Sequence, residues 1–321
     1  MAAHTDLDSH KTYGDDIEIF IVDTNSCNPR EDEIIPVLKS IGSHISKLKG
    51  STFSKTLNSY AQMCSDRGIL PRCQMFLRNS KWETESEEEL SISKCIIEMN
   101  DIHYYTHAPY IINLSNPVTK KEQGSESIEG TYHNQTTGSM VKKQEPGRWI
   151  MGLLKGDLIS TSEIGGRGVV VHVGKYTDNE VDVSLDKMEK HIRETLPYAT
   201  ERCPLLLETA AGQGTELCVS IEDLSNFYKR FSENEKKVFK ICIDTCHVFS
   251  AGYDPLDFIM EWNYLHPRSI GLVHFNDSMK EKGSRVDRHS YFMNPGGFIG
   301  VERLTEVATW CYRNKIDMIT E

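Results

Sequence analysis

No apolar run in this sequence approaches the roughly eighteen residues that a membrane span needs. Its opening residues, Met1 to Asp8, are polar and acidic, where a secretory leader would be basic and then apolar. No two of its nine cysteines are spaced as CxxC, and Cys242 and Cys246 come closest. Scattered thiols fit a reducing intracellular compartment better than a disulfide framework, with cytoplasm and nucleus equally compatible. The sequon Asn134-Gln135-Thr136 is then idle. No glycine-rich phosphate loop follows a strand, since Gly165-Gly166-Arg167-Gly168 precedes one. No GxSxG nucleophile is present either. Positive charge is also short. Against 47 acidic residues stand 36 Lys and Arg, for a formal net charge of −11. Taken alone this argues against a nucleic-acid partner, whose phosphates need cations. Two facts soften the objection. Bound divalent ions invert local charge. The acids also cluster, at Asp15-Asp16, Glu31-Asp32-Glu33 and Glu83 to Glu89.

What is present is a beat of apolar strand, polar end and helix. At 321 residues the chain is long enough for one barrel-sized domain. Strands are expected at 40–46, 73–77, 102–105, 167–172, 203–208, 238–244, 270–274 and 315–321. Helices are expected at 52–67, 85–100, 182–196, 221–231 and 300–313. Eight such strands predict an α/β protein, a (β/α)8 TIM barrel with its chemistry at the C-terminal strand ends. A doubly wound open sheet is the alternative that the count of eight disfavours. Residues 1–38 read as an N-terminal extension, with an added strand at 17–22, and 39–321 as the barrel domain. The Lys-, Gly-, Ser- and Thr-rich stretch 115–147 breaks the beat and reads as a mobile surface insertion.

The strand ends carry the signal. Strand three leads to His107, four ends at His172, five at Glu208, six at Asp244, seven at His274 and eight at Glu321. His247, Asp287 and His289 lie just beyond. One strand-end histidine is more often a satisfied buried side chain than a ligand, but six consecutive strands with such ends are another matter. Imidazole with carboxylate suits zinc or manganese better than calcium or magnesium. Four carboxylates at one mouth would be costly to keep ionised without cations. Nine donors exceed what one tetrahedral ion uses, so two or three ions with a bridging carboxylate are expected. Grouped divalent ions suit in-line displacement at phosphorus. Cys246 could pass for a catalytic thiol, but its neighbour Asp244 already has a metal role.

These residues resemble the endonuclease IV family of apurinic/apyrimidinic endonucleases (AP endonuclease family 2). The motifs are His107 to Leu114, Val171-His172-Val173-Gly174, Leu207 to Gly214, Cys242 to His247 with Ala251 to Asp254, and Val273 to His289, with Gly42 to Ser46 as a first strand. The resemblance implies three zinc ions per chain, with manganese admissible at one. His107, His172 and Glu208 would hold the first, and Glu208 would bridge to a second held by Asp244, His274 and Glu321. His247, Asp287 and His289 would hold the third. Glu208, His172 and His289 would be catalytic. It implies cleavage 5′ to an abasic site in double-stranded DNA, leaving a 3′-hydroxyl and a 5′-deoxyribose phosphate, with trimming of blocked 3′ ends. Tyr110, Arg78 or Lys81, Arg285 and Arg288 would contact DNA. It implies a base excision repair hydrolase that is a monomer with no membrane partner. The extension and the 115–147 stretch have no counterpart in that pattern, and the pattern continues into a closing helix after Glu321.

Two other readings compete. A metal-dependent sugar isomerase or epimerase on the same barrel would need only Glu208, Asp244, His274 and Glu321, for one ion. A catalytically inactive protein that binds damaged DNA would bind abasic duplex without cutting it.

Overall fold

The computed structural model describes residues 28–47, 50–78, 83–117, 131–133, 140–142, 147–177 and 180–321. Helix α1, Ile34–Lys39, buries Val37 and leads into strand β1, Ile41–His44. Helix α2, Phe53–Arg67, starts where Thr52 Oγ1 accepts the Lys55 N–H and stops at Gly68, whose φ is +61°. A left-handed residue there caps the helix carbonyls at no steric cost to glycine. Strand β2, Arg72–Met75, and helix α3, Glu87–Met99, follow, then strand β3, His103–His107. Strands β4, Thr131–His133, and β5, Met140–Lys142, pair antiparallel within the expected insertion. The rest of 118–146, and the strand expected at 17–22, lie outside the described residues.

Helix α4, Arg148–Glu163, precedes strand β6, Val169–His172. Helix α5, Val181–Thr195, leads to strand β7, Leu205–Glu208, and helix α6, Ile221–Tyr228, with the short helix α7, Glu235–Val238, to strand β8, Phe239–Asp244. Helices α8, Thr245–Ser250, and α9, Pro255–Leu265, precede strand β9, Ile270–His274. A two-residue antiparallel pair, β10 (Asp277–Ser278) and β11 (His289–Ser290), comes next. Helix α10, Val301–Arg313, and strand β12, Met318–Thr320, complete the order. Strands β1, β2, β3, β6, β7, β8, β9 and β12 close into a parallel barrel, with β12 pairing back onto β1. The expected TIM barrel is therefore the observed fold. Helices α1, α4, α7, α8 and α9 were not foreseen. No helix among the described residues is long and apolar enough to cross a membrane.

Strand side chains alternate faces with a period of two, and here the alternation sorts chemistry. Outward residues such as Tyr104, Val169, Val171, Leu205, Leu207, Ile241, Ile243 and Met318 pack under the helices. One step along, Tyr105, Val170, Leu206, Cys242, Leu272 and Ile319 form a separate fully packed layer inside the barrel. Two residues further on in the same strands come His107, His172, Glu208, Asp244, His274 and Glu321. The aliphatic layer thus forms the floor of the mouth, and the polar residues form its wall. Register aligns His172 with Glu208, Asp244 with His274, and His44 with Gln74.

Candidate metal centre

Three groups of donors converge at the mouth. His107, His172 and Glu208 form one, and Glu208, Asp244, His274 and Glu321 another. Within the first, the His107 and His172 Nε2 atoms stand 3.4 and 3.2 Å from Glu208 Oε2. Within the second, His274 Nδ1 stands 3.0 Å from Glu208 Oε1, 3.3 Å from Glu321 Oε2 and 3.8 Å from Asp244 Oδ2. Glu208 therefore turns one oxygen to each group. The third group comes from α8 and from the chain that runs into β11. Asp287 Oδ1 lies 3.3 Å from His247 Nε2 and 3.1 Å from His289 Nε2, and the two imidazole nitrogens are 3.4 Å apart. His289 Nε2 also lies 3.6 Å from Asp244 Oδ2.

Local structure explains each approach. Asp244 ends β8 and caps α8, accepting the His247 N–H at 2.8 Å. An N-cap and the residue three positions on share one turn, so the Asp-Thr-Cys-His spacing brings His247 to the mouth. The β10–β11 pair folds the loop back and sets His289 opposite Ser278. Asp287 and His289, two apart in the chain, turn their side chains to the same side, where His289 Nε2 and Asp287 Oδ1 are 3.1 Å apart.

The residues present fit a divalent cation of the zinc type. Bonds of about 2.0–2.2 Å put tetrahedral donors about 3.3–3.6 Å apart, and most separations above fall at or near that spacing. His107 Nε2 and Glu208 Oε2 are buried and have no hydrogen-bond partner. Orphaned buried polar atoms of this kind are costly without a ligand. The opposite imidazole nitrogens are occupied: His107 Nδ1 lies 2.7 Å from the Ala108 carbonyl and His247 Nδ1 2.9 Å from the Thr209 carbonyl. Those contacts fix the tautomer that leaves Nε2 as the donor atom.

Electrostatics agree. Burial alone would raise the Glu208 pKa, yet the neighbouring imidazoles of His172 and His274 hold it well below the usual value. Glu321 is held down to about 2, against its burial, chiefly by His274. Burial disfavours the His247 imidazolium, but Asp244, Asp287 and Glu208 push its pKa well above the ordinary value. Against their burial, the His247, His274 and His289 imidazoles are pushed up by the carboxylates around them, whereas burial prevails at His172 and lowers its pKa, and a bound cation would displace the protons that the raised imidazoles carry.

A cavity of about 650 Å³ opens above these groups, lined among others by Tyr110, Asn113, His172, Lys175, Asp287 and Arg288. Tyr110 is 65 % exposed at its rim and not a core tyrosine, with its ring against Phe76 and His172. Arg285 and Arg288 are exposed on the loop that carries Asp287 and His289. Arg78 requires a correction. Its Nε lies 2.8 Å from the buried Asp157 carboxylate and its Nη2 donates to the Leu153 carbonyl, so it braces α4 and does not stand free for DNA. Lys81 lies outside the described residues. Cys246 is fully buried, and burial pushes its thiol up to about 12, both of which argue against a nucleophilic role.

Sequence reasoning passed over several buried residues that orient the donors. Asn276 Nδ2 donates to Asp244 Oδ2 at 2.7 Å, and its Oδ1 accepts the Glu321 N–H at 2.8 Å. Gln74 and His44 lie beside Glu321. Neutral amides give no charge signal, and only the two-residue alternation along β2 could have found Gln74.

A closed parallel barrel with imidazoles and carboxylates around its C-terminal mouth defines a class, and residues 148–308 match the family described as xylose isomerase-like TIM barrel. Within that class, the chain is 31% identical over 272 residues to the probable endonuclease 4 of Symbiobacterium thermophilum, covering 81% of this chain and 84% of that one. It is 29% identical to the probable endonuclease 4 of Staphylococcus aureus strain JH9, covering 70% and 68% of the two chains. The crystal structure of endonuclease IV from Thermus thermophilus superposes with a TM-score of 0.64 at 23% identity, over 88% of this chain and 91% of that one. A D-tagatose 3-epimerase-like protein superposes at 0.58 and 16%, over 87% and 90%. The structural likenesses carry the fold alone, but the sequence relatives are specific: the chain belongs to the endonuclease IV family.

Proposed function

We propose that this protein is a divalent-metal-dependent apurinic/apyrimidinic endonuclease that hydrolyses the phosphodiester 5′ to an abasic site, leaving a 3′-hydroxyl and a 5′-deoxyribose phosphate, and that also trims blocked 3′ ends. The carrying observation is the set of three donor groups joined through Glu208 and Asp244. His107, His172 and Glu208 would hold one zinc ion, Glu208, Asp244, His274 and Glu321 a second, and His247, Asp287 and His289 a third, with manganese admissible at one. Bound divalent ions supply Lewis-acid polarisation of the phosphate, an acidified water and charge neutralisation at the departing oxygen.

The chain's own residues do the rest. Glu208 gives one oxygen to each of two donor groups, so its single carboxylate fixes their spacing. His172 lines the cavity and is the more exposed imidazole of its group, at 28 % against 1 % for His107. His289, 23 % exposed, faces the same cavity from the opposite loop. Arg285 and Arg288 contact phosphates on either side of the lesion, and Tyr110 stacks or wedges where the base is missing. Extruding a nucleotide costs least where no base is paired, and a cavity of about 650 Å³ admits a sugar phosphate.

The deciding experiment is nicking of a duplex that carries one abasic analogue, with and without prolonged chelation. Chelator-sensitive scission on the 5′ side is expected. The epimerase-like structural neighbour keeps a second reading in view, because Glu208, Asp244, His274 and Glu321 alone would suit a one-ion isomerase. Close to three zinc per chain supports the nuclease, and one ion per chain with no scission supports the isomerase. Binding of abasic duplex without scission by zinc-loaded protein would leave a damage-binding protein.

A further inference from the structure

Gln74 is fully buried on β2, in register with His44. Its amide meets three partners. Oε1 lies 2.9 Å from His274 Nε2, and Nε2 lies 2.7 Å from Glu321 Oε1 and 3.1 Å from His44 Nδ1. Only one orientation of the amide serves all three, because the reverse would set its oxygen against the Glu321 carboxylate. The amide oxygen must therefore accept the His274 Nε2–H, and the amide nitrogen must donate to Glu321, with His44 Nδ1 beside both.

We infer that Gln74 is a positioning residue that selects which atoms His274 and Glu321 offer to the group they share with Glu208 and Asp244, an inference that rests on the metal reading above. With its proton fixed on Nε2, His274 is left to coordinate through Nδ1, the atom that faces Glu208, Glu321 and Asp244. With Oε1 held by the amide, Glu321 turns Oε2 inward, 3.3 Å from His274 Nδ1 and 4.0 Å from His289 Nδ1. One side chain thus sets the tautomer of one donor and the rotamer of another. Glu321 has further tethers, its backbone N–H to Asn276 Oδ1 and its Oε1 3.3 Å from His44 Nδ1, but among the described residues no other hydrogen bond holds His274 Nε2. A buried imidazole without that acceptor has two tautomers, and one of them offers the group the wrong nitrogen.

The test uses full-length protein loaded with zinc, labelled with nitrogen-15 at histidine, in wild type, Gln74→Met and Gln74→Glu. In wild type, His274 reports a protonated Nε2 and a coordinated Nδ1. In Gln74→Met, affinity for one of the bound zinc ions falls by about 10–100-fold, and the His274 signals divide between tautomers. Gln74→Glu separates the two functions: its oxygen still accepts from His274, so the ring pattern persists, while repulsion of Glu321 keeps the zinc loss. Wild-type zinc affinity together with an unchanged His274 pattern in Gln74→Met overturns the inference. Should Gln74→Met fail to fold, Gln74→Glu decides alone, and wild-type zinc affinity there overturns the hold on Glu321. If wild type itself takes up no zinc, the metal reading has failed separately. Gln74 is then judged on metal-free protein above the imidazole titration, where the His274 Nε2 proton must be seen in wild type and lost in Gln74→Met.

Discussion

At the scale of single residues, the third donor group gives the sharpest prediction. His289 brings one nitrogen to within 3.6 Å of Asp244, Asp287 and His247 alike. His289→Ala is expected to lower zinc from about three ions per chain to about two and nicking by 10²–10⁴-fold, the effect of several kcal/mol of lost charge stabilisation. Metal analysis beside single-turnover nicking checks it, and wild-type rates with two ions would refute the role. Arg288 differs in kind. It is exposed beside the cavity, between Asp287 and His289 in the chain, and is not one of the donors. Arg288→Ala should weaken abasic and intact duplex alike and flatten the salt dependence of log Kd by roughly 0.9 per lost phosphate contact. An unchanged slope would remove Arg288 from the DNA interface.

At the scale of elements, packing at the foot of the barrel carries its own pH dependence. His266 ends α9, buried, with its Nε2 2.8 Å from Ser225 Oγ and its ring against Trp262. Burial, helped by Lys236 and Lys229, lowers its pKa from 6.5 to about 4. Between those values the unfolded chain binds a proton that the folded chain refuses, so stability falls as pH drops from 6.5 towards 4 and is unaffected above that window. His266→Gln should flatten this acid limb in a pH series of Tm, and parallel acid slopes in the two proteins would refute the assignment. Helix α9 is also one of the elements that the sequence hid. Asp254 caps it, accepting from Leu256 and Asp257, and Pro255 opens it, yet no strand-to-helix beat flagged a helix between Asp244 and Ile270. Helix α4 was hidden differently, because the insertion was bounded at Gly147 but 148–166 was assigned to no element before the strand at 167–172. Strands β6 to β9 were legible because aliphatic runs turn abruptly to His, Glu or Asp. Strand β2 was legible as a strand but not as part of the site, since Gln74 carries no charge and the run ended in ordinary apolar residues, Phe76 and Leu77.

At the scale of the whole molecule, the segment between β3 and α4 can be treated as an insert. Its flanks meet: a Cβ on Gly147 would lie 2.9 Å from Pro117 Cγ and 3.1 Å from the Pro117 carbonyl oxygen, and Gly147 has φ +82°. Chain ends this close can be joined by a short linker without moving either element. Deleting residues 118–145 should therefore leave zinc content unchanged and Tm within a few degrees, since no donor lies there. Loss of zinc on deletion would show that the insert reaches the site. The ring of donors has one further implication, for how the chain matures. Its members come from seven places between His107 and Glu321, and the second group is complete only when β12 has docked between β9 and β1. A one-residue slip of that strand would turn the outward neighbour of Glu321 into the ring in its place. Under the metal reading, ion uptake thus acts as an inspection step: a chain whose last strand is late or misaligned cannot be fully charged, and stays distinguishable from finished enzyme by its metal alone.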